Sequence, residues 1–257
     1  MPRANRFFLQ GHVWHITHRC QQKQFFFECA PDRERWLFWL NEARKRYGLC
    51  VLNYTVTSNH IHLLVQDRGR GEIADSMQLI AGRTAQEYNQ RKERRGAFWE
   101  DRYHATAVDS DGYLAECLVY IDMNMVRANV ITHPADWPHC GYSEIHSARR
   151  QHSIIHVEAL AALLSCSSAE QLRAVHQLWV QIALSRGHNE RDDRWTKSLA
   201  VGSSVFVRGF QKDLGVMARY RKVLEEGDLY ALRDPQCSYA VGAEVEVASA
   251  CPVRGKK

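Results

Sequence analysis

The sequence predicts an α+β fold in which helices pack on a largely antiparallel sheet. Three observations carry that prediction. Over roughly the first 130 residues, apolar periodicity alternates between strand-like and helix-like spacing in the order β-α-β-β-α-β-α. The second and third strands are separated only by the turn-like Thr57-Ser58-Asn59, a hairpin connection that makes them antiparallel neighbours. The hydrophobic fraction of 45% and the seven tryptophans are enough for a substantial core, which argues against a disordered chain. Ferredoxin-like topologies fit this order.

Taken in order, Val13 to Cys20 is rich in β-branched and aromatic residues and reads as a strand. Pro31-Asp32 opens a helix whose stripe is Trp36, Leu37, Leu40, Ala43 and Tyr47, with Gly48 as its stop. Cys50 to Val56 and His60 to Gln66 are the hairpin strands. A loop with Arg68, Gly69, Arg70 and Gly71 follows. Met77, Ile80, Ala81, Thr84 and Tyr88 then mark an amphipathic helix that ends in the basic run Arg91-Lys92-Glu93-Arg94-Arg95-Gly96. A strand around His104 to Val108 comes next. Asp109-Ser110-Asp111 caps a helix expected to reach about Ala128. Past Pro134-Ala135-Asp136-Trp137-Pro138 the pattern changes, and Val157–Leu164, Glu170–Leu184 and Phe206–Leu214 read as helices. The expected organisation is therefore a domain over residues 1–147 and a mainly helical extension over 148–257. Ala240 to Cys251 is an extended arm or a disordered tail.

The net charge of +5 favours a polyanionic partner. The eight cysteines are scattered and none forms a C-x-x-C pair, which points to free thiols and a reduced, cytoplasmic setting. The N-terminus shows no signal peptide, and no apolar run is long enough to cross a membrane.

The candidate site starts from Ser58-Asn59-His60-Ile61-His62-Leu63-Leu64-Val65. In a strand, residues two apart share a face, so His60 and His62 point together while Ile61 points the other way. Two adjacent imidazoles are half of a divalent-metal site. With 13 histidines in the chain, two unrelated strand histidines are the bland alternative. The helix after Asp111 buries Leu114, Cys117, Leu118, Ile121 and Met125. Tyr120 lies on its flank with Asn124 one turn further along, and Tyr113 and Arg127 share that side. A boundary tyrosine on an amphipathic helix is ordinary, but its combination with the histidine pair is not. Asn124 could offer a carbonyl oxygen to a cation.

These residues resemble a known family. Asn59-His60-Ile61-His62-Leu63-Leu64-Val65, followed by Tyr120-Ile121-Asp122-Met123-Asn124-Met125-Val126-Arg127-Ala128, is similar to the single-tyrosine HUH transposases, and more narrowly to the REP-associated tyrosine transposases. His15-Ile16-Thr17-His18-Arg19-Cys20, Phe98-Trp99-Glu100-Asp101-Arg102-Tyr103, His133-Pro134-Ala135-Asp136-Trp137 and Tyr142-Ser143 fit as well. The likeness is strong over residues 5 to 146 and weaker through Trp195–Gly202 to Leu214. It implies an HUH endonuclease domain, His60, His62 and Asn124 as ligands of a catalytic Mg²⁺ or Mn²⁺, and Tyr120 as the nucleophile. The implied reaction is nicking and strand transfer of single-stranded DNA through a 5′-phosphotyrosine link, on hairpin-forming palindromes of REP type. One departure is Met125, where relatives often carry proline; it removes no implied ligand.

A tyrosine's ordinary pKa of about 10 makes it a poor nucleophile without a nearby electrophile, which the metal would supply. Arg127 contacts phosphate or caps the helix C-terminus. Arg68, Arg70, Arg91, Arg94 and Arg95, with Arg3 and Arg6, are candidate DNA contacts, although a basic run is often only a solvated helix end. His104 and Glu100 are weaker candidates near the site, and His15 and His18 are expected to be surface or core residues. Two rival readings stay open: a DNA-binding regulator that keeps the fold without useful cleavage, and a hydrolase that uses water at the same histidines. A monomer is favoured over a dimer.

Overall fold

The computed structural model describes residues 9–110, 112–147, 153–187, 192–227 and 229–234. Arg3, Arg6, Asp111 and the arm Ala240 to Cys251 lie outside the described residues.

In chain order the elements of the first half are β1 (Val13–Arg19), α1 (Ala30–Tyr47), β2 (Cys50–Val56), β3 (His60–Gln66), α2 (Glu72–Arg91), β4 (His104–Val108), α3 (Gly112–Asp122) and α4 (Asn124–Arg127). Then come α5 (Tyr142–His146), α6 (Val157–Leu163), α7 (Ala169–Ser185), α8 (Arg194–Lys197), β5 (Ser198–Gly202), α9 (Ser204–Leu214), β6 (Lys222–Glu226) and β7 (Leu229–Arg233). Short 3₁₀ turns complete the set.

Local chemistry explains the boundaries. Pro31 sits in the first turn of α1, where a missing amide donor costs nothing. Gly48 ends that helix at φ 72°, a left-handed conformation that a Cβ would penalise. At the hairpin, the Thr57 amide (3.0 Å) and hydroxyl (2.8 Å) both donate to the His60 carbonyl, which fixes where β3 begins.

The strands form one sheet in the order β2-β3-β1-β4-β5-β7-β6. Its first four members pair antiparallel. Their order 2-3-1-4, with helices between β1 and β2 and between β3 and β4, is the ferredoxin-like arrangement anticipated from the sequence. Thr17 lies opposite both His62 and His104, His15 lies opposite Thr106, and Thr55 lies opposite His62. Period-2 alternation therefore gathers His15, Thr17, Thr55, His60, His62, His104 and Thr106 on one face. Ile16, Ile61, Leu63 and Val65 point the other way and are fully buried. The helices α1 and α2, packed on each other, bring Trp36, Leu40, Met77 and Ile80 into the same core. The helix α3 sits over the polar face: Asn53 Nδ2 donates to Asp122 Oδ1 (2.9 Å) and Thr55 Oγ1 to the Ile121 carbonyl (3.1 Å).

Two expectations change. The stretch beyond residue 147 contains the anticipated helices, and among the described residues it also contributes three strands. Strands β5, β7 and β6 extend the first-half sheet, with β5 parallel to β4 through Ala107↔Ala200 and Val108↔Val201. Gly202 lies so close to Asp109 that a Cβ would stand 2.2 Å from the Asp109 Cβ. Asp109 Oδ2 in turn accepts from the amide (2.9 Å) and hydroxyl (2.7 Å) of Ser203. The second change concerns the helix expected to run to Ala128: it breaks at Met123 (ψ 1°), which separates α3 from α4.

No helix among the described residues is long and apolar enough to cross a membrane. Cys20, Cys29, Cys50, Cys117, Cys140 and Cys166 are free thiols.

Candidate active site

The break at Met123 keeps the helical path. The Met123 amide donates to the Val119 carbonyl (2.9 Å) and the Arg127 amide to the Met123 carbonyl (2.8 Å). Tyr120, Asn124 and Arg127 therefore remain about a turn apart on one side. That side faces the histidine-bearing strands. A cleft of about 690 Å³ is lined by His60, His62, Tyr120, Asn124 and Arg127 together with His104, Glu100 and Lys197.

His62 is the hub. Its Nε2 lies 2.7 Å from Asn124 Nδ2, and its Nδ1 lies 2.8 Å from His15 Nε2. The Tyr120 ring meets His62 edge-on at 5.8 Å between centroids and His15 at 6.0 Å. The His60 and His62 rings are 4.9 Å apart. His60 Nδ1 donates to Asn59 Oδ1 (2.7 Å), so Nε2 is the atom that His60 would offer to a metal. The Arg127 guanidinium lies 4.1 Å from the centre of the Tyr120 ring and donates to the Tyr120 carbonyl (2.7 Å). Trp195 backs the tyrosine at 6.1 Å.

The electrostatics are uneven. Arg19, Arg102 and Arg127 line the cleft with Lys197, which is ion-paired to Asp193, against Glu100 and Asp101, and this excess of cations favours an anion. Burial pushes His15 down to about 3, with the charges of His104 and Arg127 adding to the effect and the Trp195 backbone opposing it. His15 is thus neutral at physiological pH. Burial also lowers His104, whose Nε2 lies 2.8 Å from the Ser198 carbonyl.

Among the described residues no three His, Cys, Asp or Glu side chains group as a metal site. The set reaches three donors only with the Asn124 amide. Two imidazoles that can each present Nε2, beside an amide, nonetheless suit a divalent ion that completes its shell with water and phosphate oxygens.

The other sequence candidates are placed differently. Arg68 and Arg70 follow the Gln66 end of β3, roughly 20 Å of strand from His60. Their backbone amides are tied to the Glu72 carboxylate. Arg91 is ion-paired to buried Asp32. Arg94 stacks on Phe26 at 4.3 Å and donates to the Ala97 carbonyl (2.8 Å). Arg95 is exposed. None of these five lines the cleft. His18 stacks on Trp99 at 3.8 Å and holds the Asp101 carbonyl (2.9 Å), which orders the loop that carries Arg102.

Sequence reasoning missed Arg19, Arg102, Lys197 and the contact made by His15. Arg19 had a local signal, because it ends the strand that pairs with His60. Lys197 arrives from the second half of the chain and had none. Tyr120 and Arg127 also border a second hollow of about 570 Å³, lined by Trp179, Arg186 and Trp195.

Residues 9–124, a little under half of the chain, match the family model described as "Transposase IS200 like". That span ends at Asn124 and includes His60, His62 and Tyr120. Among solved structures, a REP-associated tyrosine transposase bound to a REP hairpin is similar at 13% identity, covering 58% of this chain and 87% of that one, with a TM-score of 0.49. A putative transposase from Deinococcus radiodurans R1 is similar at 13% identity, covering 50% of this chain and 97% of that one, with a TM-score of 0.34. No curated protein matches the chain.

Proposed function

We propose, from the match of residues 9–124 to the IS200-like transposase model, that this chain is a member of that family and a metal-dependent single-strand DNA nuclease and strand transferase with Tyr120 as nucleophile. Within the family, its motifs place it with the REP-associated tyrosine transposases. Its substrate is single-stranded DNA that folds into palindromic hairpins, and it acts in the cytoplasm as a monomer. The observation that supports this reading best is the meeting of a strand and a helix far apart in sequence: Asn124 lies 2.7 Å from His62 and the Tyr120 ring 5.8 Å from the same imidazole.

His60, His62 and Asn124 would hold Mg²⁺ or Mn²⁺. When bound, that ion withdraws charge from the scissile phosphate and the attacking oxygen. The remaining work belongs to the chain. Arg19 and Arg102 draw the DNA backbone into the cleft and neutralise it, with Lys197 beside them held by Asp193. Arg127 fixes Tyr120 through its carbonyl and ring and leaves a positive charge beside the reacting phosphate. Tyr120 Oη forms a bond to phosphorus, the bond to the 3′-oxygen breaks, and that oxygen leaves as a 3′-hydroxyl after taking a proton. The phenol proton passes to solvent. The phosphotyrosine ester conserves the energy of the broken bond, so a 3′-hydroxyl can reverse the step and join strands without ATP. Trp195, buried behind the ring, restricts the tyrosine to the cleft.

The test is cleavage of an end-labelled hairpin with a single-stranded flank. Wild type should cut it with Mn²⁺ or Mg²⁺ and stop on chelation. His62→Ala should bind the DNA within a few-fold of wild type yet lose at least ~10²-fold in rate. Cleavage that persists in the presence of chelator, or in His62→Ala, overturns the metal assignment. Binding with no cleavage under any metal leaves a DNA-binding regulator.

A further inference from the structure

We propose that His15 is a positioning residue: it holds His62 as the tautomer protonated on Nδ1, so that Nε2 carries the bare lone pair that a metal needs. The metal role rests on the function proposed above; the tautomer does not.

His15 Nε2 and His62 Nδ1 are 2.8 Å apart, a hydrogen bond between two ring nitrogens, so one of them carries the hydrogen and the other accepts it. At the far side of the same imidazole, His62 Nε2 lies 2.7 Å from Asn124 Nδ2, an amide nitrogen that can only donate. His62 Nε2 is therefore the acceptor and bears no hydrogen. A neutral imidazole has one N–H, so it must sit on Nδ1, and Nδ1 must donate to His15 Nε2. Each bond fixes the next. The Asn124 amide nitrogen lies against that Nε2 lone pair.

The placement of His15 fits this task. It stands in the middle of β1, between β3 and β4, opposite Leu64 on one side and Thr106 on the other. It is fully buried and nearly coplanar with His62, with an interplanar angle of 10°. A flanking strand residue so enclosed has little freedom to turn, which fixes the His62 ring as well. His60 has the same arrangement by a different route, since its Nδ1 is held by Asn59 at the hairpin. The two imidazoles are thus oriented by separate partners, one local in sequence and one from a neighbouring strand. A ligating histidine whose other nitrogen donates to a fixed acceptor is the usual way of setting both tautomer and ring angle.

Two measurements decide it. In metal-free, ¹⁵N-histidine-labelled wild-type protein, long-range ¹H–¹⁵N correlation should report His62 as protonated on Nδ1 and bare on Nε2. The opposite tautomer overturns the proposal whatever the protein's activity. Mn²⁺ affinity is then read by titration calorimetry. His15→Leu, which cannot accept a hydrogen bond, should weaken Mn²⁺ roughly 10–100-fold. His15→Gln, whose amide oxygen can accept from Nδ1, should stay within a few-fold of wild type. Equal affinity for Leu and wild type in a folded protein refutes the role, as does equal loss in Gln and Leu. If His15→Leu does not fold, the wild-type tautomer still decides. Wild type that binds no Mn²⁺ while showing the expected tautomer would sink the metal reading above and leave this assignment standing.

Discussion

At the residue scale, the cleft separates cations that can meet DNA from those occupied elsewhere. Arg19 and Arg102 line it, whereas Arg68 lies beyond the far end of β3 and Arg91 is paired with Asp32. Each phosphate contact to single strands contributes about 0.7 to the slope of log affinity against log salt. Arg19→Ala and Arg102→Ala should each lower that slope by about 0.7 in fluorescence anisotropy titrations with a single-stranded oligonucleotide. Arg68→Ala should leave it unchanged. A slope that responds to Arg68 and not to Arg102 would relocate the DNA path. The histidine pair and the Tyr120/Asn124 edge could be read from the sequence because period-2 and helical spacing project directly onto faces. Arg102 and Lys197 were hidden because they join Arg19 in the cleft only through tertiary packing.

At the element scale, α3 is tied down on the side away from the cleft. Asp122, two residues after Tyr120, accepts from Asn53 Nδ2 and lies 2.7 Å from His176 Nε2, and His176 Nδ1 lies 3.2 Å from His146 Nε2. Burial, with His176 alongside, pushes His146 from 6.5 down to about 4. The native state therefore binds fewer protons here than the unfolded chain does between those two values. The associated stability is fully present above 6.5 and is lost as pH falls toward 4. Denaturant titrations from about pH 7 to about pH 5 should show stability falling, with a shallower fall in His146→Gln. An unchanged slope would remove His146 from the account. Trp195, buried against Tyr120, should cost about 3–5 kcal/mol on truncation to alanine, read by the same titration at neutral pH. Strands β1 to β4 were legible because their apolar residues alternate or run with the core. Strands β5, β6 and β7 are five residues each, and Lys222–Glu226 is mostly charged, as suits an edge. Their place in the sheet came only from the structure.

At the scale of the whole molecule, the second half of the chain completes the first. Thr106 Oγ1 donates to the Ser198 carbonyl (2.6 Å), Gly202 closes on Asp109, and Trp195 backs Tyr120. A chain ended at Ser147 would expose the β4 edge and the back of the tyrosine. It should fail to show a cooperative melt and should aggregate, as checked by calorimetry and light scattering. A folded and active 1–147 fragment would mean that the later strands only decorate the sheet. In the proposed reaction an oxygen on α3, placed beside two strand histidines, attacks DNA. That attack is tested most directly by incubating the protein with a labelled hairpin and Mn²⁺, then resolving the products under denaturing conditions and mapping any attached nucleotide by mass spectrometry. A covalent protein–DNA species is expected in wild type, with the nucleotide on Tyr120, and none in Tyr120→Phe, which should still bind the hairpin. Cleavage that survives in Tyr120→Phe, or an adduct on any other residue, would contradict it.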